Sequence, residues 1–142
     1  LVLADMENRA PTQLALRRAA KARKQLYPHR NASAFGQWVG LNRARAGRVI
    51  LLSDGMFEHD GLVCPLEALL AHLGDGDWAL LEETLSLGSV GPLGRGLASG
   101  RGQSDSTATV LVAAGLGHAF CGGGAILAGP ADWMVRIRSQ SL

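Results

Sequence analysis

The sequence predicts an α/β protein, a Rossmann-like three-layer sandwich with a mostly parallel sheet and a small cap or none. Apolar runs of strand length alternate with segments of helical composition along the 142 residues, which is typical of parallel strands joined by helices. The run at 49–52 is followed at once by Ser53-Asp54-Gly55, as expected of a central strand buried on both faces. With 47% hydrophobic and 18% charged residues, the chain can build a folded core.

The first third of the chain predicts one strand and one helix. Residues 1–4 form a short apolar run that ends at Asp5, which indicates a buried strand. Good helix formers follow Pro11 and predict a helix from about Thr12 to Leu26. Residues 31–47 fit no single element, and their candidates for the core are Phe35, Trp38, Val39 and Leu41.

The rest of the chain continues the alternation. Helices are expected at about 65–73 and 78–85, and a loop rich in Gly, Ser and Arg follows at 88–105. The run at 107–114 fits a strand or a helix equally well. Two short late strands are expected, at 125–127 and 134–137.

Composition excludes several classes of protein. No apolar run reaches the roughly 18 residues of a membrane-spanning helix, and the first residues lack the basic lead-in of a signal peptide. Two cysteines, Cys64 and Cys121, form neither a disulfide scaffold nor a CxxC zinc motif. The composition therefore predicts a reduced, soluble, cytoplasmic domain.

The charges are unevenly distributed. Ten basic and no acidic residues lie between Arg9 and Arg48, whereas eight acidic residues and no Lys or Arg lie between Asp54 and Glu83. Such a dipolar molecule could steer an anionic ligand toward its basic side. The alternative is that the basic residues of 17–24 are the solvated face of one helix.

Polar residues that can do chemistry follow two of the predicted strands. Asp5 and Glu7 lie just beyond the first strand, and Ser53 ends the strand at 49–52. Ligands of open α/β sheets bind at the carboxyl ends of the strands. Paired carboxylates there can supply a nucleophile and an acid/base, and a serine hydroxyl can bind a phosphate oxygen.

These segments resemble the haloacid dehalogenase superfamily, in particular its phosphoserine-phosphatase-like branch. The resemblance rests on four motifs: Asp5-Met6-Glu7-Asn8-Arg9, Leu51-Leu52-Ser53-Asp54-Gly55-Met56-Phe57, Gly102-Gln103-Ser104-Asp105, and Ala113-Ala114-Gly115-Leu116-Gly117-His118-Ala119-Phe120. It implies one domain over 1–142, with about 10–47 as a reduced cap or helical insertion. Small-capped relatives commonly close their sites with a neighbouring subunit, so a homo-oligomer is expected.

The resemblance also implies a mechanism, the Mg²⁺-dependent hydrolysis of a small phosphorylated metabolite. Asp5 would form an aspartyl-phosphate, and Glu7 would be the acid/base. Mg²⁺ would be held by Asp5, Glu7 and Asp105. The phosphate would bind Ser53, Asp54, Gly55, Arg95 and Arg101.

The sequence departs from this pattern at three points. Glu7 stands where the family has Asp, Gln103 and Thr107 stand where metal-binding carboxylates belong, and no lysine occurs after Lys24. Arg95 or Arg101 would have to bind phosphate in place of that lysine.

Two other interpretations stay open. Ser53-Asp54-Gly55 with Asp105-Ser106-Thr107 also resembles metal-dependent phosphatases of the 2C type. A catalytically inactive binding module is the alternative of a different class, in which the basic 17–24 helix contacts nucleic acid or another anionic partner.

The four histidines show no metal-ligand spacing, and structural roles are expected for His29, His59, His72 and His118. His59 and Asp60 follow the Ser53 strand closely enough to contact a substrate.

Overall fold

The computed structural model describes residues 1–100 and 106–140, which form one six-stranded sheet. The strand order is β2-β1-β3-β4-β5-β6, and all neighbours are parallel except β5 and β6, which are antiparallel. The strands are β1 (Val2–Asp5), β2 (Lys24–Tyr27), β3 (Ile50–Asp54), β4 (Trp78–Glu82), β5 (Thr109–Gly115) and β6 (Ala125–Ala128).

Four α-helices connect or follow these strands. They are α1 (Ala10–Arg18), α2 (Ala32–Asn42), α3 (Leu66–Leu70) and α4 (Ala131–Gln140). Short 3₁₀ turns occupy Pro92–Gly94 and Ala98–Gly100 in the connection between β4 and β5. Within the described ranges, none of the helices is both long and apolar enough to cross a membrane.

The hydrophobic core lies on one face of the sheet. Leu3, Leu51 and Leu81 point from adjacent strands into a cluster with side chains of α2 and α3. Each of these strands alternates its side chains between the two faces. The members contributed by the helices and by the loops beside them are Phe35, Val39, Phe57, Cys64, Leu66, Leu69, Leu70 and Leu73.

The other face of the sheet carries α1. Helix α1 packs beside β3, and its residues Thr12 and Ala15 line the same groove as Leu52 and Leu80, the strand neighbours of the core leucines. An apolar groove of about 380 Å³ remains between α1 and the strands β4, β5 and β6. The described sheet is therefore packed on both faces, more fully on the side of α2 and α3.

The predicted fold class is confirmed. A mostly parallel sheet is present, and the strands expected at 1–4, 49–52 and 125–127 are found at nearly those positions. The ambiguous run at 107–114 is strand β5. That 1–142 is one domain stays a prediction, and the stretch 10–47 contains α1, α2 and the edge strand β2.

The helix predicted from Thr12 to Leu26 is wrong in its second half. Helix α1 ends at Arg18, and residues 24–27 form the edge strand β2 alongside β1. The composition of Ala19–Lys24 favours a helix, but propensity is a weak effect that pairing with a neighbouring strand overrides. The physical reason is the exposed edge of β1, which Lys24–Tyr27 covers with a parallel ladder.

Two later predictions are also wrong. The helix expected at 78–85 is strand β4, which lies between β3 and β5. A run as apolar as Trp78-Ala79-Leu80-Leu81 fits either element, and burial between two strands decides it. The strand expected at 134–137 lies inside helix α4, whose first turn is fixed by the amides of Trp133 and Met134 bonding the Pro130 carbonyl.

Buried Glu83 organises the loop after β4. Its carboxylate accepts hydrogen bonds from Ser86 Oγ at 2.8 Å, from the Leu97 amide at 2.6 Å and from the Ala98 amide at 2.8 Å. Gly96 is required beside it, because a Cβ there would lie 2.3 Å from Glu83 Oε2 and the residue has a φ of +88°. The carboxylate thus ties the two ends of the 83–98 loop together.

Replacing Glu83 with alanine is expected to lower the free energy of unfolding by about 3 kcal/mol, because three donors lose a buried charged acceptor. Chemical denaturation followed by circular dichroism measures the loss. Glu7→Ala, which removes an exposed carboxylate, is the matched control and is expected to cost less than about 0.5 kcal/mol. Equal losses in the two variants would contradict the role given to Glu83.

The two cysteines are expected to differ sharply in reactivity. Burial raises the pKa of the Cys64 thiol to about 12, whereas Cys121 is exposed. Because the thiolate is the reactive form, a disulfide reagent is expected to modify one thiol in the native protein and two in denaturant. Cys121→Ser should abolish the native reaction, and two fast-reacting thiols in the native protein would contradict the burial of Cys64.

Candidate functional site

The carboxyl ends of four neighbouring strands bring polar side chains together at one edge of the sheet. Asp5 ends β1, Asp54 ends β3 and Glu82 ends β4, and the turn after β2 carries His29. The strands are parallel and in register, so their last residues lie side by side. This is the edge at which open α/β sheets bind ligands, and it is the candidate functional site.

Asp5 is almost completely buried and fixes the turn after β2. Its Oδ1 accepts from the Glu7 amide at 2.9 Å, and its Oδ2 accepts from the Arg30 amide at 2.8 Å. Oδ1 also lies 2.9 Å from Nδ1 of His29. Since both carboxylate oxygens are already engaged by the protein, Asp5 acts here as an anchor that holds His29 and Arg30.

Asp54 and Asn8 fasten the start of α1 to the end of β3. The Asn8 side chain accepts from the Asp54 amide at 2.9 Å and donates to the Leu52 carbonyl at 3.0 Å. The Asp54 carboxylate accepts from the Arg9 amide and from Thr12 Oγ1, both at 2.5 Å. Arg9 is the N-cap residue of α1 and Thr12 lies in its first turn. Asp54 therefore accepts from one of the free amides at the start of the helix and holds the first turn through the Thr12 hydroxyl.

Arg9 forms ion pairs with two acidic side chains at the carboxyl ends of the strands. Its guanidinium lies 3.1 Å from Glu58 and 3.2 Å from Glu82. Glu82 also accepts from the Thr84 hydroxyl, and the Gly115 amide donates to that hydroxyl at 2.8 Å. The carboxyl ends of β3, β4 and β5 are thereby linked through charged and polar side chains.

The predicted phosphate cradle is already filled by protein groups. Ser53 is fully buried, with Oγ 3.0 Å from the Asp54 carbonyl and 3.3 Å from Cys64 Sγ. The Gly55 amide donates to the Glu82 carbonyl at 2.8 Å, as the Asp54 amide does to Asn8. Amides bonded inside the protein are not available to a phosphate.

Two of the remaining predicted site residues lie in the described part of the chain, and both have exposed side chains. Glu7 is exposed, and the side chain of Arg95 is exposed in the loop between the 3₁₀ turns. Arg101 and Asp105, like Gln103, lie outside the described residues. The structure therefore brings Asp5, Ser53, Asp54 and Gly55 together at the carboxyl ends of the strands. There, each of them is hydrogen-bonded to other groups of the protein. Their membership of a functional site stays a prediction.

His29 is the feature that the sequence interpretation missed. It lies between two carboxylates, with Nδ1 on Asp5 and Nε2 3.1 Å from Asp60 Oδ2. Its partial burial opposes protonation, but the hydrogen bonds and charges of Asp5 and Asp60 outweigh this effect and raise the pKa of His29. A prediction of Lys24–Tyr27 as a strand would have indicated this role, because Pro28-His29 follows directly at the carboxyl end of that strand.

Stability is expected to depend on the ionisation of Asp54. Burial raises the pKa of this carboxyl above its ordinary value, against the lowering effect of the hydrogen bonds from Thr12 and Arg9. The folded state therefore binds this proton more tightly than the unfolded state does. The contribution to stability is greatest below the pKa of the unfolded state and is lost as pH rises through the pKa of the folded state. Denaturation at several pH values should show a flatter stability profile for Asp54→Asn as pH rises above the ordinary aspartate pKa of about 4. Identical profiles for the parent and the variant would contradict the burial effect.

Comparison with models of known protein families gives no match. Comparison with individual proteins does find similar sequences. The chain is 35% identical over 124 residues to 8-amino-7-oxononanoate synthase of Bordetella petrii, an alignment of 83% of this chain and 30% of that protein. It is 33% identical over 115 residues to the synthase of Geobacter sulfurreducens, covering 80% and 28%. The chain thus spans about 30% of the length of these relatives.

Solved structures show the same fold. A serine palmitoyltransferase solved with PLP as an internal aldimine has a TM-score of 0.79 and 18% identity, covering 98% of this chain and 34% of that one. The 8-amino-7-oxononanoate synthase of Francisella tularensis has a TM-score of 0.74 and 20% identity, covering 99% and 39%.

These similarities overturn the resemblance to the haloacid dehalogenase superfamily. The sequence relatives are named 8-amino-7-oxononanoate synthase, and a neighbour in fold is a serine palmitoyltransferase that holds PLP. The predictions of a phosphatase, a hydrolase and a Mg²⁺ cofactor are therefore wrong. The predicted phosphorylated-metabolite partner is wrong on the same ground, and nothing supports the alternative of a nucleic-acid-binding module. The homo-oligomer stays a prediction. The chain is similar to about 30% of an 8-amino-7-oxononanoate synthase, and the described part of the chain forms a mostly parallel sheet.

Proposed function

We propose that this chain is the sheet-forming segment of a protein related to 8-amino-7-oxononanoate synthase, one that works in PLP-dependent acyl transfer to an amino acid. Support comes from identities of 33–35% over more than 100 residues and from fold similarity along nearly the whole chain. The name of serine palmitoyltransferase states the reaction class, the transfer of an acyl group to serine.

The lysines of the chain decide whether it can hold PLP covalently. PLP enzymes hold the cofactor through a lysine Schiff base and pair its pyridine nitrogen with a carboxylate. The 142 residues contain two lysines, Lys21 and Lys24. Lys24 is the first residue of β2, at the amino edge of the sheet, and its Nζ donates to the Arg17 carbonyl at 3.1 Å. Lys21 precedes it in the same connection.

The carboxyl edge therefore offers no lysine from this chain. The carboxylates of that edge are also engaged: Asp5 and Asp54 by amides, and Glu82 by Arg9 and Thr84. The residues of this chain do not fit a covalently held PLP. We infer that the segment contributes the scaffold of the site, and that the lysine comes from elsewhere in the protein or from a second chain. The observation that carries this is the location of Lys21 and Lys24.

Borohydride reduction of the protein with PLP, followed by digestion and mass spectrometry, tests the location of the anchor. We expect no stoichiometric pyridoxyl group on any peptide of these 142 residues. The double variant Lys21→Arg, Lys24→Arg is expected to keep the activity of the parent protein. A stoichiometric adduct on Lys21 or Lys24, lost in that variant together with activity, would overturn the assignment.

A separate assay tests the reaction class. It measures the release of free thiol from palmitoyl-CoA in the presence of L-serine and PLP, and it is repeated with other amino acids and with shorter acyl thioesters. Release that depends on the amino acid supports acyl transfer. A protein that releases no thiol with any pair, alone or mixed with a lysine-bearing relative, would contradict the proposed function. Phosphate release from p-nitrophenyl phosphate is expected to be absent with or without Mg²⁺.

A further inference from the structure

Three side chains with metal-binding atoms converge beside the carboxyl edge. Among the described residues, His29, His59 and Asp60 each place one ligand atom within 4.8 Å of the other two. Nε2 of His29 lies 3.1 Å from Asp60 Oδ2, and Nε2 of His59 lies 3.6 Å from the same oxygen. The imidazole rings are 5.0 Å apart at an angle of 70°, so the rings are not stacked and both nitrogens face the carboxylate.

These separations suit a tetrahedral metal ion. Zinc bonds of 2.0–2.1 Å to nitrogen and oxygen place neighbouring ligand atoms about 3.3 Å apart. The separations of the two histidine nitrogens from Asp60 Oδ2, 3.1 and 3.6 Å, lie on either side of that value. The ligand atoms of the two histidines lie within 4.8 Å of each other. A zinc ion thus requires displacements of only a few tenths of an ångström at these two contacts.

Asp5 and Phe57 orient the imidazole ring of His29. Its other ring nitrogen, Nδ1, lies 2.9 Å from buried Asp5, which in turn accepts from the amides of Glu7 and Arg30. A carboxylate on one nitrogen of a histidine fixes its tautomer and the direction of the other nitrogen. Nε2 of His29 points at Asp60 Oδ2, and a metal ion would replace that contact. Phe57 supports the ring at 4.4 Å in an edge contact, so the direction of His29 is determined on both sides.

His59 and Asp60 lie in a tight turn that is itself held in place. The amide of Phe57 bonds the Leu62 carbonyl, and the amide of Gly61 bonds the Phe57 carbonyl, both at 2.9 Å. One oxygen of Asp60, Oδ1, accepts from the Leu62 amide at 2.9 Å. Oδ2 is thereby left facing both histidines.

The cluster is accessible from solvent. The side chains of His29, Asp60 and His59 are 20%, 25% and 47% exposed. A metal held by three protein ligands at such a place keeps its fourth position for water, as zinc sites of this composition do. Two imidazoles and one carboxylate favour Zn²⁺, Co²⁺ or Ni²⁺ over Mg²⁺, which prefers oxygen ligands.

We propose that His29, His59 and Asp60 form a Zn²⁺ site with one open coordination position, and that Asp5 is its positioning residue. The site differs in ligands, metal and place from the Mg²⁺ site predicted from the sequence. It also stands apart from the proposed synthase function, because it needs neither PLP nor acyl transfer. Bound zinc would join the turn after β2 to the 56–63 turn, whose ligands His29 and Asp60 are 31 positions apart in the sequence.

Isothermal titration of chelator-treated protein with ZnCl₂ tests the site. We expect one ion per chain, and at least about tenfold weaker binding in His59→Ala and in Asp60→Asn. Both positions are exposed, and asparagine keeps the oxygen that accepts from the Leu62 amide, so both variants should fold. His118→Ala removes an exposed histidine of the β5–β6 connection and is expected to bind zinc like the parent protein.

Two further readouts separate this site from adventitious binding. Co²⁺ is expected to give the visible absorption of a four-coordinate complex in the parent protein and in His118→Ala, but not in His59→Ala. Zinc is expected to raise the thermal unfolding temperature of the same two proteins only. Parent protein that binds no stoichiometric zinc would overturn the proposal, as would undiminished affinity in both ligand variants.

Discussion

Buried carboxylates at the ends of parallel strands are the constraint on which this structure depends. A carboxylate removed from water is costly unless donors surround it, and both Asp5 and Asp54 are almost completely buried. The chain satisfies them with amides of the segments that follow β1 and β2 and with Thr12 of α1. The need to satisfy two acids therefore determines where α1 begins and how the chain turns after β2.

This use of the acids changes the chemical interpretation of the edge. A nucleophilic carboxylate must present a free oxygen to its substrate, whereas Asp5 gives both oxygens to Glu7, Arg30 and His29. The reactive side chains that solvent reaches at the carboxyl ends of the strands lie outside these acids. They are the His29 imidazole and, in the exposed turn, His59 and Asp60. The inner acids hold the surrounding segments in place, whereas the outer groups are accessible from solvent.

Strand signals in the sequence were strongest where the strand is buried on both faces. The runs ending at Asp5 and Asp54 were predicted correctly, and so was the mostly parallel sheet, because apolar runs followed by polar residues are typical of central strands. Edge strand β2 was missed because only Tyr27 of its four residues is buried, so Lys24-Gln25-Leu26 looks like the end of a helix. Strand β4 was missed because Trp78–Leu81 is apolar without periodicity.

The site was only partly predictable for a related reason. Asp5, Ser53 and Asp54 were placed at the correct edge, but their hydrogen-bond partners come from positions 9, 12, 30 and 64, which no local spacing indicates. The metal-binding cluster depends on β2, since that strand carries His29 to the turn with Asp60. The short motifs that resembled a phosphatase describe strand ends of many α/β proteins, and they did not identify the family.

A double-mutant cycle on Thr12 and Asp54 tests most directly that the inner acids are structural anchors. The free energies of unfolding of the parent, Thr12→Val, Asp54→Ala and the double variant give the coupling between the two side chains. A hydrogen bond from a hydroxyl to a buried carboxylate should couple them by about 1.5–3 kcal/mol. A coupling near zero would contradict the account, since Asp54 would then not be holding the first turn of α1.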